Sequence, residues 1–425
     1  MAKTTSTGRN AAPAKPATRS PRKEPKRKEE ILRAAAEVMR RKGVLATRLQ
    51  DVADYLDVAY TALYHYFPSR DHLAEEVLCW SMEKRIELLE RASGETQLER
   101  LLDFFSLMLH EGRQSQVRSP LKVGLPEPHH SKVLVARNQL RDRIRALIEA
   151  GLAEGSMRPC DPLTTANALL GLMERFAFLD RSLFSDAVRA MPLAEVVDQF
   201  CVILRDGILE GMDMPPHPSH RIENGAELLS FNRELTPELH RLDTILATAT
   251  RHFNHEGINA SIPRIAEDLG VSKTVVYQYV IDKQDLLFQC YLRGVSVVEM
   301  SHRIADDFGR DPLDKMLIHR RNLYIFHDSS SGPFTFLNAN ASLKPQHQRL
   351  IDIRNKGVRD TSIERMRQAQ AAGTVKKDVI PDIAQPLFGQ ILYFLPAWYS
   401  DEYHLPIEEV CWQTGLLGFI GLRNR

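Results

Sequence analysis

Residues 51–67 read DVADYLDVAYTALYHYF, and residues 264–280 read RIAEDLGVSKTVVYQYV. At an offset of 213, Ala53 meets Ala266, Leu56 meets Leu269, Val58 meets Val271, Thr61 meets Thr274, Tyr64 meets Tyr277 and Tyr66 meets Tyr279. The register runs on through Arg70 against Lys283 and Leu73 against Leu286. Upstream, Ile31, Ala35 and Gly43 pair with Ile245, Ala249 and Gly257; far downstream Gly155, Gly171, Pro192 and Gly207 find Gly373, Gly389, Pro406 and Gly421. Chance aligns one short apolar motif, not ordered landmarks along two halves. The chain therefore reads as a tandem duplication of a unit of about 200 residues.

Within each unit the apolar residues recur at helical spacing, and no alternating strand pattern persists, which predicts an all-α fold. A first helix from about Lys26 to Arg41 places Ile31, Ala34, Ala35, Val38 and Met39 on one face, and Gly43 follows where a left-handed C-cap is needed. Thr47-Arg48-Leu49-Gln50 has capping-box spacing and opens a short helix through Leu56. After a break at Asp57-Val58-Ala59, a second short helix from Tyr60 to Tyr66 turns Leu63 inward, and Pro68-Ser69-Arg70-Asp71 starts a longer one. Two short helices across a tight turn, steadied by a helix in front, form a helix-turn-helix whose second helix can enter a major groove.

Composition sets the broad class. The 425 residues are 43% hydrophobic and 26% charged, as in an ordinary globular protein, which excludes a fibre or a mainly disordered chain. The five cysteines are scattered without a CxxC or Cys/His cluster, so they read as reduced thiols and not as a zinc site. No apolar run is long enough to span a membrane, and no signal-peptide core opens the chain; the expected location is cytoplasmic, with the nucleoid. Net charge is +1, but residues 1–28 hold nine Lys/Arg against Glu24 alone, a local +8 that leaves −7 for the rest. Such a basic, Pro- and Ala-rich stretch reads as a flexible arm, either solubilising or held against nucleic acid. The Pro-rich stretch from residue 212 reads as a linker, where His217 and His220 are solvated and not a metal pair. The expected organisation is an arm over 1–25, a helix-turn-helix domain over 26–75, a helical regulatory domain over 76–211, a linker over 212–236, a second helix-turn-helix domain over 237–288 and a second regulatory domain over 289–425.

These residues resemble the tetracycline-repressor (TetR) family of bacterial transcriptional regulators. The first unit offers Val52-Ala53, Val58, Tyr64, Phe67, Arg70 and Leu73; the second offers Ser261, Ile265-Ala266, Gly270-Val271-Ser272, Tyr277, Lys283 and Leu286. Two departures are tolerable: Asp57 stands at the turn glycine, and Asp accepts a left-handed conformation, while Val280 replaces the aromatic found as Phe67. The resemblance implies double-stranded DNA as partner, a ligand-responsive repressor as function, and no cofactor or metal.

On the first recognition helix Tyr60, Thr61 and His65 are not needed for the apolar face and are free to meet base edges or phosphates. By resemblance, Tyr64 and Arg70 fall at phosphate-contacting positions and Thr47 starts the supporting helix; the second unit offers Ser261, Lys273, Thr274, Tyr277, Gln278 and Lys283. Tyr66 and Tyr279 read as core aromatics. Charge is a caution: residues 29–84 hold seven Lys/Arg against ten Asp/Glu, and residues 237–293 hold six against seven, so the arm supplies much of the attraction to DNA. The recognition helices differ, AYTALYHY against SKTVVYQY, which suits an asymmetric or pseudo-palindromic operator read by one chain as an intramolecular pseudo-dimer, with further homodimerisation left open. Its interface is expected over residues 162–178, 194–210, 381–398 and 407–422, with Gly171, Gly207, Gly389 and Gly421 permitting close approach.

A small apolar or amphipathic effector is expected between the regulatory helices, lined by Phe104, Phe105, Met108, Phe176 and Phe178 in the first unit. In the second the lining is Tyr324, Phe326, Phe334, Phe336, Tyr393, Phe394, Trp398 and Tyr399. An enzyme is disfavoured: P-loop, GxSxG, HExxH and GxGxxG motifs are absent, Asp306-Asp307 lacks further carboxylates, and His129-His130 lacks a nucleophile. The alternative to a regulator is a helical interaction or ligand-sensing protein with one or no working DNA-binding head.

Overall fold

The computed structural model describes residues 24–44, 46–111, 115, 117, 125–176, 184–211, 215, 236–256, 260–328, 343–390 and 405–424. Among these every regular element is a helix, and two isolated bridges are the only strand-like pairings. The arm lies outside the described residues apart from its last two, which open the first helix; so does the linker apart from residues 215 and 236.

The first unit runs α1 (Glu24–Lys42), α2 (Leu49–Leu56), α3 (Tyr60–Tyr64), α4 (Arg70–Arg91), α5 (Gln97–His110), α6 (His129–Ala153), α7 (Pro162–Phe176), α8 (Asp186–Ala190) and α9 (Leu193–Asp206). The second runs α10 (Pro237–Glu256), α11 (Ile262–Asp268), α12 (Lys273–Val276), α13 (Lys283–Phe308), α14 (Pro312–Asp328), α15 (Pro345–Ala371), α16 (Pro381–Gln390) and α17 (Ile407–Phe419). The punctuation acts as the residue types dictate. Gly43, at φ 91°, closes α1 by donating its N–H to the Met39 carbonyl at 2.8 Å. Ser69 caps α4 by accepting from His72 N at 3.0 Å, and Asp282 caps α13 by accepting from Asp285 N at 2.8 Å.

Three cores result. Helices α1–α4 close around Ile31, Ala35, Val52, Ala53, Leu63 and Phe67, each at most 2% exposed. Helices α10–α13 close around Ile245, Ala249, Ile265, Ala266, Val276 and Leu286. The regulatory helices of both units share a third core, continuous from Met82 to Leu422. Here α7 and α9 pack against α16 and α17, the four elements expected at the interface, although the described helices are shorter than the predicted spans.

Backbone hydrogen bonds lock this junction reciprocally. Past α9, Ile208 N donates to Gly418 O and Leu209 N to Phe419 O, each at 3.0 Å, and Lys376 N donates to Ile208 O at 2.9 Å. Past α17, Leu422 N donates to Leu204 O at 2.9 Å, and Arg158 N donates to Leu422 O at 2.8 Å. Each tail thus bridges to the turn after the long helix of the other unit, Leu209 opposite Val375 and Met157 opposite Arg423. Burying Phe200, Leu204, Leu417 and Phe419 in the junction contributes about 1.5–3 kcal/mol for each side chain removed from water.

Candidate nucleic-acid interface

The turn between the two short helices is the same device in both units. Asp57 (φ 52°) and Gly270 (φ 67°) adopt the left-handed conformation, and the next residue donates its N–H back into the preceding helix: Val58 to Ala53 O at 3.1 Å, Val271 to Ala266 O at 3.0 Å. The expected tolerance of aspartate at the turn holds, because its short polar side chain costs little there. Leu63 and Val276, both fully buried, anchor the recognition helices from beneath.

The duplication sorts its shared residues into two kinds. Ala53/Ala266 and Leu73/Leu286 are buried, so packing accounts for them. Thr61/Thr274 and Tyr64/Tyr277 match equally well yet face solvent, with Tyr64 53% and Tyr277 48% exposed. Packing does not require a threonine or a tyrosine there. Tyr60, His65, Lys273 and Gln278 are likewise exposed beside them. Tyr66 and Tyr279 sit half-buried against their cores, as expected.

The flanking residues divide less cleanly. Ser261 caps α11, its hydroxyl accepting from Arg264 N at 3.4 Å. Thr47 departs from expectation: it is fully buried, its Oγ1 donates to Gly43 O at 2.8 Å, and the cap passes to Arg48, whose N–H donates to Asp51 Oδ2 at 2.8 Å. An extra residue between Gly43 and α2 shifts the cap by one position, so Thr47 is corrected to a core residue and the exposed Arg48 takes its place at the surface. Arg70 is half-buried with Nε donating to Asp71 Oδ1 at 2.9 Å, and its counterpart Lys283 is half-buried, its pKa lowered by burial against the opposing pull of Glu256. Lys42 pairs with Asp51 at 2.6 Å and Arg264 with Glu256 at 2.9 Å, so carboxylates already neutralise much of each head's positive charge.

The described members of the expected effector lining lie in the core. Phe104, Phe105 and Met108 are fully buried in the shared core, with the Phe104 and Phe105 rings 5.9 Å apart. Tyr324 and Phe326 are buried as well, and the Tyr324 hydroxyl is held by Arg320 and Thr414. Phe178, Phe334, Phe336, Tyr393, Phe394, Trp398 and Tyr399, with the side chain of Phe176, fall outside the described residues. Arg320 and Arg321 went unremarked in the sequence; the signal was a pair of arginines where the first unit carries Phe105 and Ser106. Among the described residues no cluster has metal-binding composition and no helix is long and apolar enough to cross a membrane.

A known family model matches in both halves. The family model described as bacterial regulatory proteins, tetR family, matches residues 31–77 and again 245–290; that described as tetracyclin repressor-like, C-terminal domain, matches residues 92–177. The HTH-type transcriptional repressor KstR2 of Mycolicibacterium smegmatis is 30% identical over 142 residues, 31% of this chain and 68% of that protein. The uncharacterized HTH-type transcriptional regulator YfiR of Bacillus subtilis is 24% identical over 152 residues, 33% of this chain and 72% of its own. Among solved structures, the regulator PfmR from Thermus thermophilus has a TM-score of 0.36 at 20% identity, covering 41% of this chain and 96% of that one. The ketosteroid transcriptional regulator KstR2 of Mycobacterium tuberculosis has a TM-score of 0.31 at 22% identity, covering 42% and 92%.

Proposed function

The chain belongs to the TetR family of bacterial transcriptional regulators and carries the family's DNA-binding motif twice, and from that premise we propose that it is a ligand-responsive repressor whose two unlike heads read one operator. The observation that carries the proposal is the pair of exposed, matching Thr61/Thr274 and Tyr64/Tyr277 on recognition helices anchored beneath by the buried Leu63 and Val276. In this reading Tyr64, Tyr277, Arg70 and Lys283 contact phosphates and fix register. Tyr60, Thr61 and His65 on one head, and Lys273, Thr274 and Gln278 on the other, face base edges; threonine meets a thymine methyl and glutamine pairs with adenine. Ser261 and Arg48 hold the N-termini of the supporting helices near the backbone.

The reciprocal lock of α7 and α9 with α16 and α17 supports an intramolecular pseudo-dimer, since it consumes within one chain the helical faces that a dimer of separate chains would need. An effector that moves the regulatory helices changes the spacing of the heads and releases DNA.

Selection from a random duplex library with the purified chain tests the operator. Two unlike half-sites are expected. Enrichment of perfect palindromes, with light scattering showing only a species of about 97 kDa, twice the chain mass of 48.4 kDa, would overturn the single-chain reading.

A further inference from the structure

The first helices of the two units present the same apolar face. Ile31 matches Ile245 and Ala35 matches Ala249, each at most 2% exposed in its own head, and on the supporting helices the buried Ala53 matches Ala266. Packing therefore does little to tell α1 from α10. Each head also shares a chain with its double, at the high effective concentration of linked domains. Exchange of first helices, within one chain or between two copies, is the misassembly that such a duplication invites.

The charges at the rim of this contact are inverted between the heads. In the first, Lys42 at the end of α1 meets Asp51 in the first turn of α2 at 2.6 Å. In the second, the matching positions hold Glu256 and Arg264, which meet at 2.9 Å. The contact is kept and both signs are reversed. One turn farther along, Arg251 of α10 meets Asp268 of α11 at 3.3 Å. The first head carries Glu37 and Tyr55 at those positions; Glu37 pairs with Arg41 at 2.7 Å, and the Arg41 guanidinium lies 5.9 Å from the centre of the Tyr55 ring. The inversion belongs to this contact. The buried Asp243–Arg293 pair between α10 and α13, at 2.7 Å, takes no part, because Glu29 is the matching residue of α1 and is also an acid.

An exchanged helix would meet like charge. Docked on the second head, α1 would set Lys42 against Arg264 and Glu37 against Asp268; docked on the first, α10 would set Glu256 against Asp51. We propose that these inverted charges are a sorting code that holds α1 to the first head and α10 to the second and keeps the duplicated heads from exchanging first helices. Each exposed pair stabilises its own head only slightly. Discrimination is larger, because exchange removes an attraction and installs a repulsion at the same place. With two such places for α1, exchange is disfavoured roughly tenfold. The sorting needs the duplicated fold alone and holds whether or not both heads bind DNA.

The test refolds the full chain from urea at increasing concentration, following mass by light scattering and contacts by a zero-length carbodiimide cross-link, which joins lysines to carboxylates. The parent chain should link positions 42 and 51. Lys42→Glu with Asp51→Lys gives the first head the signs of the second while keeping a matched pair of its own. Exchange should then rise roughly tenfold, read as mass above that of the parent or as a cross-link between positions 51 and 256. Adding Glu256→Lys with Arg264→Asp inverts the second head as well and restores the contrast, so exchange should return to the parent level. Asp51→Lys also removes the bond from Arg48 N, a loss that both variants share, so the comparison between them reads the signs alone. A double variant that fails to refold, cured in the quadruple, would support the code equally. A double variant without added exchange, or a quadruple variant that exchanges or misfolds as much as the double, would overturn it.

Discussion

Gly207 and Gly421 occupy corresponding ends of α9 and α17, and each packs against the backbone of the other's helix end: Gly207 against Phe419 and Ile420, Gly421 against Arg205 and Asp206. Both hold a positive φ, 66° and 71°. Conformation and space therefore demand glycine at the same two points of the lock, and the demand is mutual because the two units meet about a pseudo-two-fold relation. Substituting Gly421→Ala adds a Cβ where the Arg205 carbonyl already lies, at a φ that L side chains avoid. A destabilisation of about 1–3 kcal/mol is expected from the conformation alone, with more from the overlap. Urea unfolding should show the regulatory core melting earlier; an unchanged midpoint would mean that the lock adds nothing.

The heads are expected to fail independently. Tyr64→Ala and Tyr277→Ala remove exposed side chains, so stability should stay within about 0.5 kcal/mol of the parent. Operator affinity should fall roughly tenfold for each and multiply in the double variant. Gel shifts at fixed salt measure this. Weakened binding in only one variant would leave a single working head.

The basic arm is expected to supply attraction without sequence preference. Removing residues 1–25 should weaken binding and flatten its salt dependence, since every phosphate that the arm no longer neutralises lowers the slope by about 0.9 on a log–log plot. Operator preference should survive. An identical slope in the shortened chain would assign the arm no contact with DNA.

Acid should act on the second unit through its stacked histidines. The rings of His302 and His319 lie 3.7 Å apart and nearly parallel, at 9°. Burial, then the charge of Arg365, lowers His302 to about 3, and burial holds His319 well below its usual value; Arg365, Asp306, Ser301 and Ser362 are the polar groups around them. The unfolded chain takes up a proton at each ring below about pH 6.5 and the folded one does not, so stability falls as pH drops from there toward 3. The slope is about 1.4 kcal/mol per pH unit for each ring that stays neutral. His302→Gln should flatten it in unfolding curves collected across that range.

Much of the fold was legible because its determinants are local. Apolar spacing in residues 26–41, the glycine at 43 and the polar turn at 68–71 each act over a few residues and hold in isolation. Exposure of Thr61 and Tyr64 followed from the same helical spacing, since Leu63 had to face inward. Thr47 was misplaced because one extra residue in a loop moves a cap by one position, and loop length is not encoded in periodicity. The aromatic lining is not legible for a different reason: an aromatic at helical spacing looks the same whether it fills a core or walls a cavity, and only the neighbouring helices decide.

Duplication, helicity and two outward-facing recognition helices were thus settled by the chain's own pattern, through interactions that span a turn or two. What tertiary structure alone decided is how the halves use each other. The exchange of tails past Gly207 and Gly421 joins residues more than 200 positions apart, and the contacts of Phe105 with Phe200 and of Arg320 with Thr414 join residues nearly 100 apart. Close packing makes that difference matter: a buried ring is content among its neighbours, whereas a buried guanidinium must find hydrogen-bond acceptors.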